Sequence, residues 1–184
     1  MTQPPEPTPR IVWHGRSWRL RVEPYLLPDG CILERGFIEH PGSVVLVPVR
    51  DTPAGPETLM LRQYRAALRE TILELPAGTR GWDEDWRQCA QRELQEETGC
   101  RADTLIPLGE IWPAPGVSNE KMQLYLALGL HDDPLPPDAD EEIVVQPMLL
   151  AELVQMAQDG RLQDAKSVVG IWRAAAHLQS VFAK

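Results

Sequence analysis

The segment from Gly78 to Cys100, GTRGWDEDWRQCAQRELQEETGC, limits the architecture of this 184-residue chain more than any other stretch. On a helix advancing about 100° per residue, Glu93, Glu96 and Glu97 stand at i, i+3 and i+4, within one sector of roughly 100°. Trp86, Ala90 and Leu94 recur every four residues and supply an apolar face for a core. Gly99 suits the left-handed residue that ends such a helix. Ordinary surface helices space opposite charges so that neighbours attract. Three like charges in one sector repel unless a cation stands among them. Oxygen donors without Cys or His select a hard ion such as Mg²⁺. Arg92, beside Glu93, is placed to brace a carboxylate by charge-assisted hydrogen bonds. Glu84 lies nine residues before Glu93. On one unbroken helix it would fall on the other side, so it shares the site only from the helix entrance or the preceding loop.

Around this helix, apolar runs alternate with turn residues. IVWHG, SWRLRVEPYLL and CILERGFIEH read as three strands, with Pro28-Asp29-Gly30 as the turn before the last. SVVLVPVR has the character of a buried strand, and DTPAGP joins it to ETLMLRQYR as a hairpin. TILELPAG, TLIPLGEIW, MQLYLALGL and IVVQPM add strands, and LLAELVQMAQDG and QDAKSVVGIWRAAAHLQSVF close the chain as helices. No internal repeat is present. Strands with one central and two terminal helices predict an α/β sandwich with an N-terminal β appendage.

Acidic residues number 27 against 18 basic ones, only three of them lysine, for a net charge of −9. That balance lacks the basic stripe that phosphate-backbone binding requires, so no nucleic-acid partner is expected. No apolar run reaches membrane-spanning length, and MTQPPEPTPR has no signal-peptide core, so no membrane partner is expected. Cys31, Cys89 and Cys100 are odd in number and lack zinc-ligand spacing, and the four histidines are scattered, which points to a reducing cytoplasm.

The full frame around the glutamates is G-x5-E-x7-R-E-U-x-E-E-x-G-U, with U a bulky aliphatic residue. Gly78, Glu84 and Arg92-Glu93-Leu94-Gln95-Glu96-Glu97-Thr98-Gly99 fill it, and Cys100 at the last aliphatic position is the sole departure. This resembles the Nudix box of the Nudix hydrolases. The resemblance implies a Nudix α/β/α sandwich with a mixed sheet plus a small N-terminal antiparallel β subdomain. It divides the chain into a disordered tail (1–9, four prolines), a β subdomain that serves dimerisation (10–40) and the Nudix catalytic domain (41–184). It implies Mg²⁺, with Mn²⁺ as the alternative, held by Glu93, Glu96, Glu97 and the Ala77 carbonyl. The metal would neutralise a diphosphate and activate a water, leaving mainly positioning and charge stabilisation to the protein.

LRQYR (61–65), LELPAG (73–78) and Ala114-Pro115-Gly116 resemble the ADP-ribose pyrophosphatase branch, with Pro115 standing 15 residues past Cys100. The similarity spans roughly residues 40–175. It implies hydrolysis of ADP-ribose to AMP and ribose 5-phosphate by a cytoplasmic homodimer acting on a nucleoside diphosphate sugar. Other nucleotide sugars or dinucleotides, such as GDP-mannose, are the alternative substrates, and a non-catalytic nucleotide sensor is the alternative class. The catalytic set is then Glu96, Glu97 and Arg92 with a base from the acidic loop. That loop offers Asp138, Asp140, Glu141 and Glu142, of which Glu141 is the first candidate. Arg62, Arg65, Glu120 and Arg35 are the substrate-binding candidates; Arg62 and Arg65 sit on one strand with opposite facing, so only one enters a given site. Trp13 and Trp18 are aromatic enough to stack on a purine or to pack in the core. Gly160 to Ser167 nearly spells the phosphate loop G-x4-G-K-[ST], but Ala165 replaces the second glycine and the segment joins two helices. It is expected to be an interhelical turn, not an ATP site.

Overall fold

The computed structural model describes residues 8–137 and 142–182. β1 (Arg10–His14), β2 (Arg19–Leu26) and β3 (Ile32–Glu39) form an antiparallel sheet in that order. The β2–β3 turn uses Gly30 at φ 85°, with its N–H donated to Leu27 O, a conformation a side chain would strain. β3 is tied to the rest of the chain through the loop at 114–120: Ile38 N donates to Val117 O (2.8 Å) and Asn119 N to Ile38 O (3.1 Å).

The main sheet contains β4 (Ser43–Thr52), β5 (Gly55–Arg65), β6 (Glu70–Glu74), β7 (Ala77–Thr79), β8 (Cys100–Ile111), β9 (Met122–Asp132) and β10 (Ile143–Leu149). Its path is β10-β5-β4-β9-β8, with β6 on β5 and β7 on β4; β4 and β9 are parallel, so the sheet is mixed. α1 (Trp86–Thr98) covers one face, and α2 (Leu150–Asp159) and α3 (Ala165–Phe182) cover the other. β4 explains why its sequence is a continuous apolar run. Val44 and Leu46 pack under α1, while Val45, Val47 and Val49 pack under α2 and α3, so both faces are buried. Each such fully buried aliphatic side chain contributes roughly 1.5–3 kcal/mol.

One irregularity of this sheet positions the site. β4 and β5 pair directly only between Val49–Thr52 and Gly55–Thr58. Beyond that they take separate partners, β6 on β5 and β7 on β4. Leu75 and Pro76 cross from one to the other, held by the Leu46 N–H donated to Pro76 O at 2.8 Å. The crossing delivers Ala77 and Gly78 to β4 beside α1. On the far face, a Cβ at Gly170 of α3 would lie 2.6 Å from Leu75 Cδ1, so glycine lets the α3 backbone press on the crossing.

Candidate active site

α1 starts where Asp85 accepts the backbone N–H groups of Arg87 and Gln88, and it stops at Gly99, φ 72°, whose N–H donates to Gln95 O. Cys89, Ala90 and Leu94 are fully buried against β4, β8 and β9, with Trp86 packed beside them. Two helical turns bring Glu93 over Trp86 and Glu97 over Ala90, so both glutamates lie at the inward edge of the apolar face. They are accordingly only 8% and 6% exposed. An acidic face of that kind is not a solvated one.

The crossing segment meets these carboxylates. Ala77 N–H donates to Glu97 Oε2 at 2.8 Å, which sets the Ala77 backbone beside that group. Gly78 lies against Glu93 so closely that a Cβ would stand 1.8 Å from the carboxyl carbon. Arg92 gathers the remainder: Nε and Nη2 bind Glu84 Oε1 and Oε2 at 2.9 and 3.0 Å, and Nη1 reaches Glu93 Oε1 and Glu96 Oε2, each at 2.8 Å. Glu84 is thus in the loop just ahead of the N-cap, the location that its nine-residue offset demands. The Arg92 hydrogen bond holds Glu84 below the usual carboxylate range. That bond and the surrounding charges raise the guanidinium further above its ordinary value, more than offsetting its burial. Burial, with Glu84 and Glu93 nearby, pushes the Cys89 thiol up, so it is an inert packing group.

Two clefts open on either side of Gly78 and Thr79. The first, about 450 Å³, lies between the β1–β2 turn at Arg16 and Ser17, the loop at Arg80 and Trp82, and the Arg92–Glu93 pair. The second, about 430 Å³, is walled by Ser43, Arg65, Glu74, Ala77, Glu120 and Lys166. Arg65 donates to Glu74 Oε2 at 2.8 Å. Burial opposes its charge, but the Glu74 hydrogen bond and the charges of Glu74, Glu97 and Asp164 outweigh it, so its pKa is raised. Glu120 accepts from Ser43 Oγ at 2.5 Å and stands 3.9 Å from His40 Nδ1. Arg62 turns to the other side of β5, exposed, with its Nε on Gln146 Oε1 at 2.7 Å. Arg35 is exposed on β3 opposite Glu23 and belongs to the walls of neither cleft. Trp13 and Trp18 pack on one another with ring centroids 4.5 Å apart. Asp138, Asp140 and Glu141 lie outside the described residues. Gly160 to Asp164 is the turn between α2 and α3, and Lys166, in the first turn of α3, is 7% exposed and donates to Glu74.

Sequence reasoning missed Arg16, Ser43, Arg80, Trp82, Glu74 and Lys166. Glu74 and Lys166 carried a signal, an acid and a base in runs otherwise apolar on their inward sides. The donor chemistry suits a divalent cation: carboxylate oxygens, two of the carboxylates buried, with Gly78 leaving room for one of them. As arranged, Arg92 serves as the cation for Glu93 and Glu96. Among the described residues, no three acidic, histidine or cysteine side chains converge tightly enough to hold an ion as they stand.

The NUDIX domain family matches residues 40–168. The chain is 32% identical over 162 residues to the methanol dehydrogenase activator of Bacillus methanolicus, covering 87% of this chain and 86% of that protein. It is 31% identical, over the same shares of the two chains, to the ADP-ribose pyrophosphatase of Bacillus subtilis. In fold it is similar to the crystal structure of an ADP compounds hydrolase, with a TM-score of 0.78 at 21% identity, covering 94% of this chain and 92% of that one.

Proposed function

This chain belongs to the NUDIX domain family, and we propose that it is a divalent-metal-dependent hydrolase that splits ADP-ribose into AMP and ribose 5-phosphate. The observation that carries this reading is the meeting of Glu93 and Glu97 with the Ala77–Gly78 backbone between two clefts. A diphosphate lying across Gly78 and Thr79 would leave one cleft for each of its two substituents. Glu93, Glu96, Glu97 and the Ala77 carbonyl are the groups proposed to hold Mg²⁺, with Mn²⁺ as the alternative. Such an ion supplies positive charge to the diphosphate and acidifies the attacking water.

The chain's own groups do the rest. Arg92 keeps Glu84, Glu93 and Glu96 in register by its fork of donors. Arg65 offers a guanidinium to a phosphate oxygen from the second cleft. Glu120, in the same wall, is the proposed contact for a sugar hydroxyl. Arg62 faces away from this cleft, and Arg35 reaches substrate only if a second copy carries its sheet to the site. A homodimer formed through that sheet is proposed, because Trp13, Tyr25, Leu26 and Ile32 expose 48–67% of their surface there. Glu141 is proposed as the general base, to be separated from Asp138, Asp140 and Glu142 by single substitutions. No helix among the described residues is long and apolar enough to cross a membrane.

Two relatives of nearly equal identity carry different names, so identity alone does not choose between hydrolysis and activation of a dehydrogenase. A panel of ADP-ribose, GDP-mannose, UDP-glucose, NADH and diadenosine polyphosphates, with and without Mg²⁺, tests the reading. AMP and ribose 5-phosphate released by the protein alone support it. Preferred turnover of another member reassigns the substrate, and metal-dependent binding without turnover makes the chain a sensor.

A further inference from the structure

Glu74 is 1% exposed, deeper than any carboxylate on α1. Its Oε2 accepts from two cations at once, Arg65 Nη2 at 2.8 Å and Lys166 Nζ at 2.5 Å, while Oε1 has no hydrogen-bond partner among the described residues. Lys166 also donates to Asp164 Oδ2 at 3.0 Å. The same Asp164 oxygen accepts from the Ser167 backbone N–H at 3.0 Å and from the Ser167 hydroxyl. Ser167 Oγ in turn accepts the Leu75 N–H at 2.7 Å. The first turn of α3 therefore grips the end of β6 and the crossing that leads to Ala77. Gly170, one turn further on, lets that helix press against Leu75.

The buried pair in this cluster, Glu74 and Lys166, is expensive to desolvate, and a well-packed apolar set would often be at least as stable. What the arrangement fixes is the charge state around Arg65. A guanidinium has five N–H donors, and Glu74 takes one of them by the bond above. Because Lys166 shares that oxygen, Glu74 does not depend on Arg65 as its sole counter-ion. The remaining donors of the Arg65 guanidinium are then left for an anion in the cleft that it lines. Without Lys166, Arg65 becomes the sole counter-ion of a buried carboxylate and is drawn into it.

We propose that Lys166 is a positioning residue that acts through Glu74 to hold Arg65 available to the substrate diphosphate, with Asp164 and Ser167 fixing Lys166 in place. The G-x4-A-K-S segment thereby serves the phosphate site from behind. This inference rests on the hydrolase reading above only for the identity of its anion.

The test is a double-mutant cycle on the full chain, read as ADP-ribose affinity by calorimetry in EDTA. K166M is expected to weaken binding about tenfold, and R65A by at least as much. If Lys166 acts through Arg65, the K166M/R65A double variant binds no more weakly than R65A alone. Additive losses, or wild-type affinity in folded K166M, overturn the proposal. K166Q, which can still donate a hydrogen bond but carries no charge, is the variant to use should K166M not fold, with a loss in the same direction. A second readout needs no ligand: the Arg65 Nε–H resonance in ¹⁵N NMR, assigned by its absence from R65A. It should shift in K166M or K166Q as Arg65 turns fully to Glu74, and an unmoved resonance overturns the proposal whatever the substrate. A wild-type protein that binds no ADP-ribose sinks the substrate reading alone, since the resonance still decides the role of Lys166.

Discussion

Gly78→Ala separates catalysis from folding more cleanly than any charged substitution. The added Cβ would stand 1.8 Å from Glu93 Cδ and 2.0 and 2.1 Å from its two oxygens. Carbon atoms in ordinary contact are at least about 3.5 Å apart. The Glu93 carboxylate must therefore retreat by about 1.7 Å, the gap between that spacing and 1.8 Å. Misplacement of a reacting group by about 1 Å costs on the order of 10²-fold in rate, or about 2.7 kcal/mol of transition-state stabilisation. The fold has little reason to suffer. Gly78 is not among the positive-φ glycines, and its place opposite Val44 in β7 is one that alanine can take. The group that must yield is the end of a side chain, and Gly→Ala at a compatible position stabilises by about 0.4–1 kcal/mol through the unfolded chain. Initial rates of AMP release from ADP-ribose with Mg²⁺ should thus fall about 100-fold in kcat/KM while the melting temperature moves by only a few degrees. A folded Gly78→Ala protein with more than about a third of wild-type kcat/KM would refute the requirement for Glu93 at that position. A melting temperature lower by more than about 10 °C would instead assign Gly78 to the fold.

Glu97→Gln keeps an oxygen to accept the Ala77 N–H, so its circular dichroism and melting curve should match wild type while Mg²⁺-dependent turnover drops at least about 100-fold; near-normal turnover would remove Glu97 from the metal set. His40 gives a pH signature, because burial holds its imidazole below the ordinary range against the partial opposition of Glu120, and Gly42 N–H donates to its Nδ1 at 3.1 Å. Only the neutral ring accepts that bond, so its stabilisation is complete above about pH 6.5 and lost as pH falls through the depressed folded-state value. Melting curves between about pH 7.5 and 4.5 should therefore fall more steeply for wild type than for His40→Asn, whose amide oxygen can take the same N–H at any pH; parallel curves would count against it. The exposed N-terminal sheet predicts a dimer in sedimentation at micromolar concentration and a monomer for Tyr25→Lys/Leu26→Glu, and a monomeric wild type would leave that sheet without its proposed partner.

Local periodicity made much of this molecule readable in advance. The strands and helices follow the apolar runs of the chain, and the family frame fixed the sandwich. The seven-residue spacings from Trp86 to Glu93 and from Ala90 to Glu97 also held information, since two turns of helix return a side chain to the same side. They mark those two glutamates as inward and Glu96, at 20% side-chain exposure, as the outer one. The odd separation of Arg62 and Arg65 told that they face apart, but which one faced the cleft depended on where β6 and β10 flank β5. Glu74 and Lys166 are 92 residues apart, and no period couples them. Only the crossing of Leu75 and Pro76, under α3, makes them neighbours. The spacing of Gly160 to Ser167 approaches that of a nucleotide loop, yet its charge and its hydroxyl face inward, to the sheet.

The parting of β4 and β5 explains why these features occur together. A continuous sheet would have presented α1 with a flat apolar surface, and glutamates at the inward edge of a helix could not lie on it. Where the strands part, the crossing brings backbone polar groups to the surface of the sheet, and the Ala77 N–H is one of them. Glu97 can be buried because that donor is there, and Glu93 because a glycine follows. The same gap exposes the other side of the crossing to α3, where hydrogen bonds link Glu74, Lys166, Asp164 and Ser167 to one another and to Leu75. One short segment is thus held from both faces by charge and hydrogen bonds instead of by apolar packing alone. Charged contacts of this kind are directional and lose much when displaced, so they fix the crossing's position more narrowly than apolar surfaces would. A site that must hold carboxylates and phosphates within a fraction of an ångström gains from that narrowness.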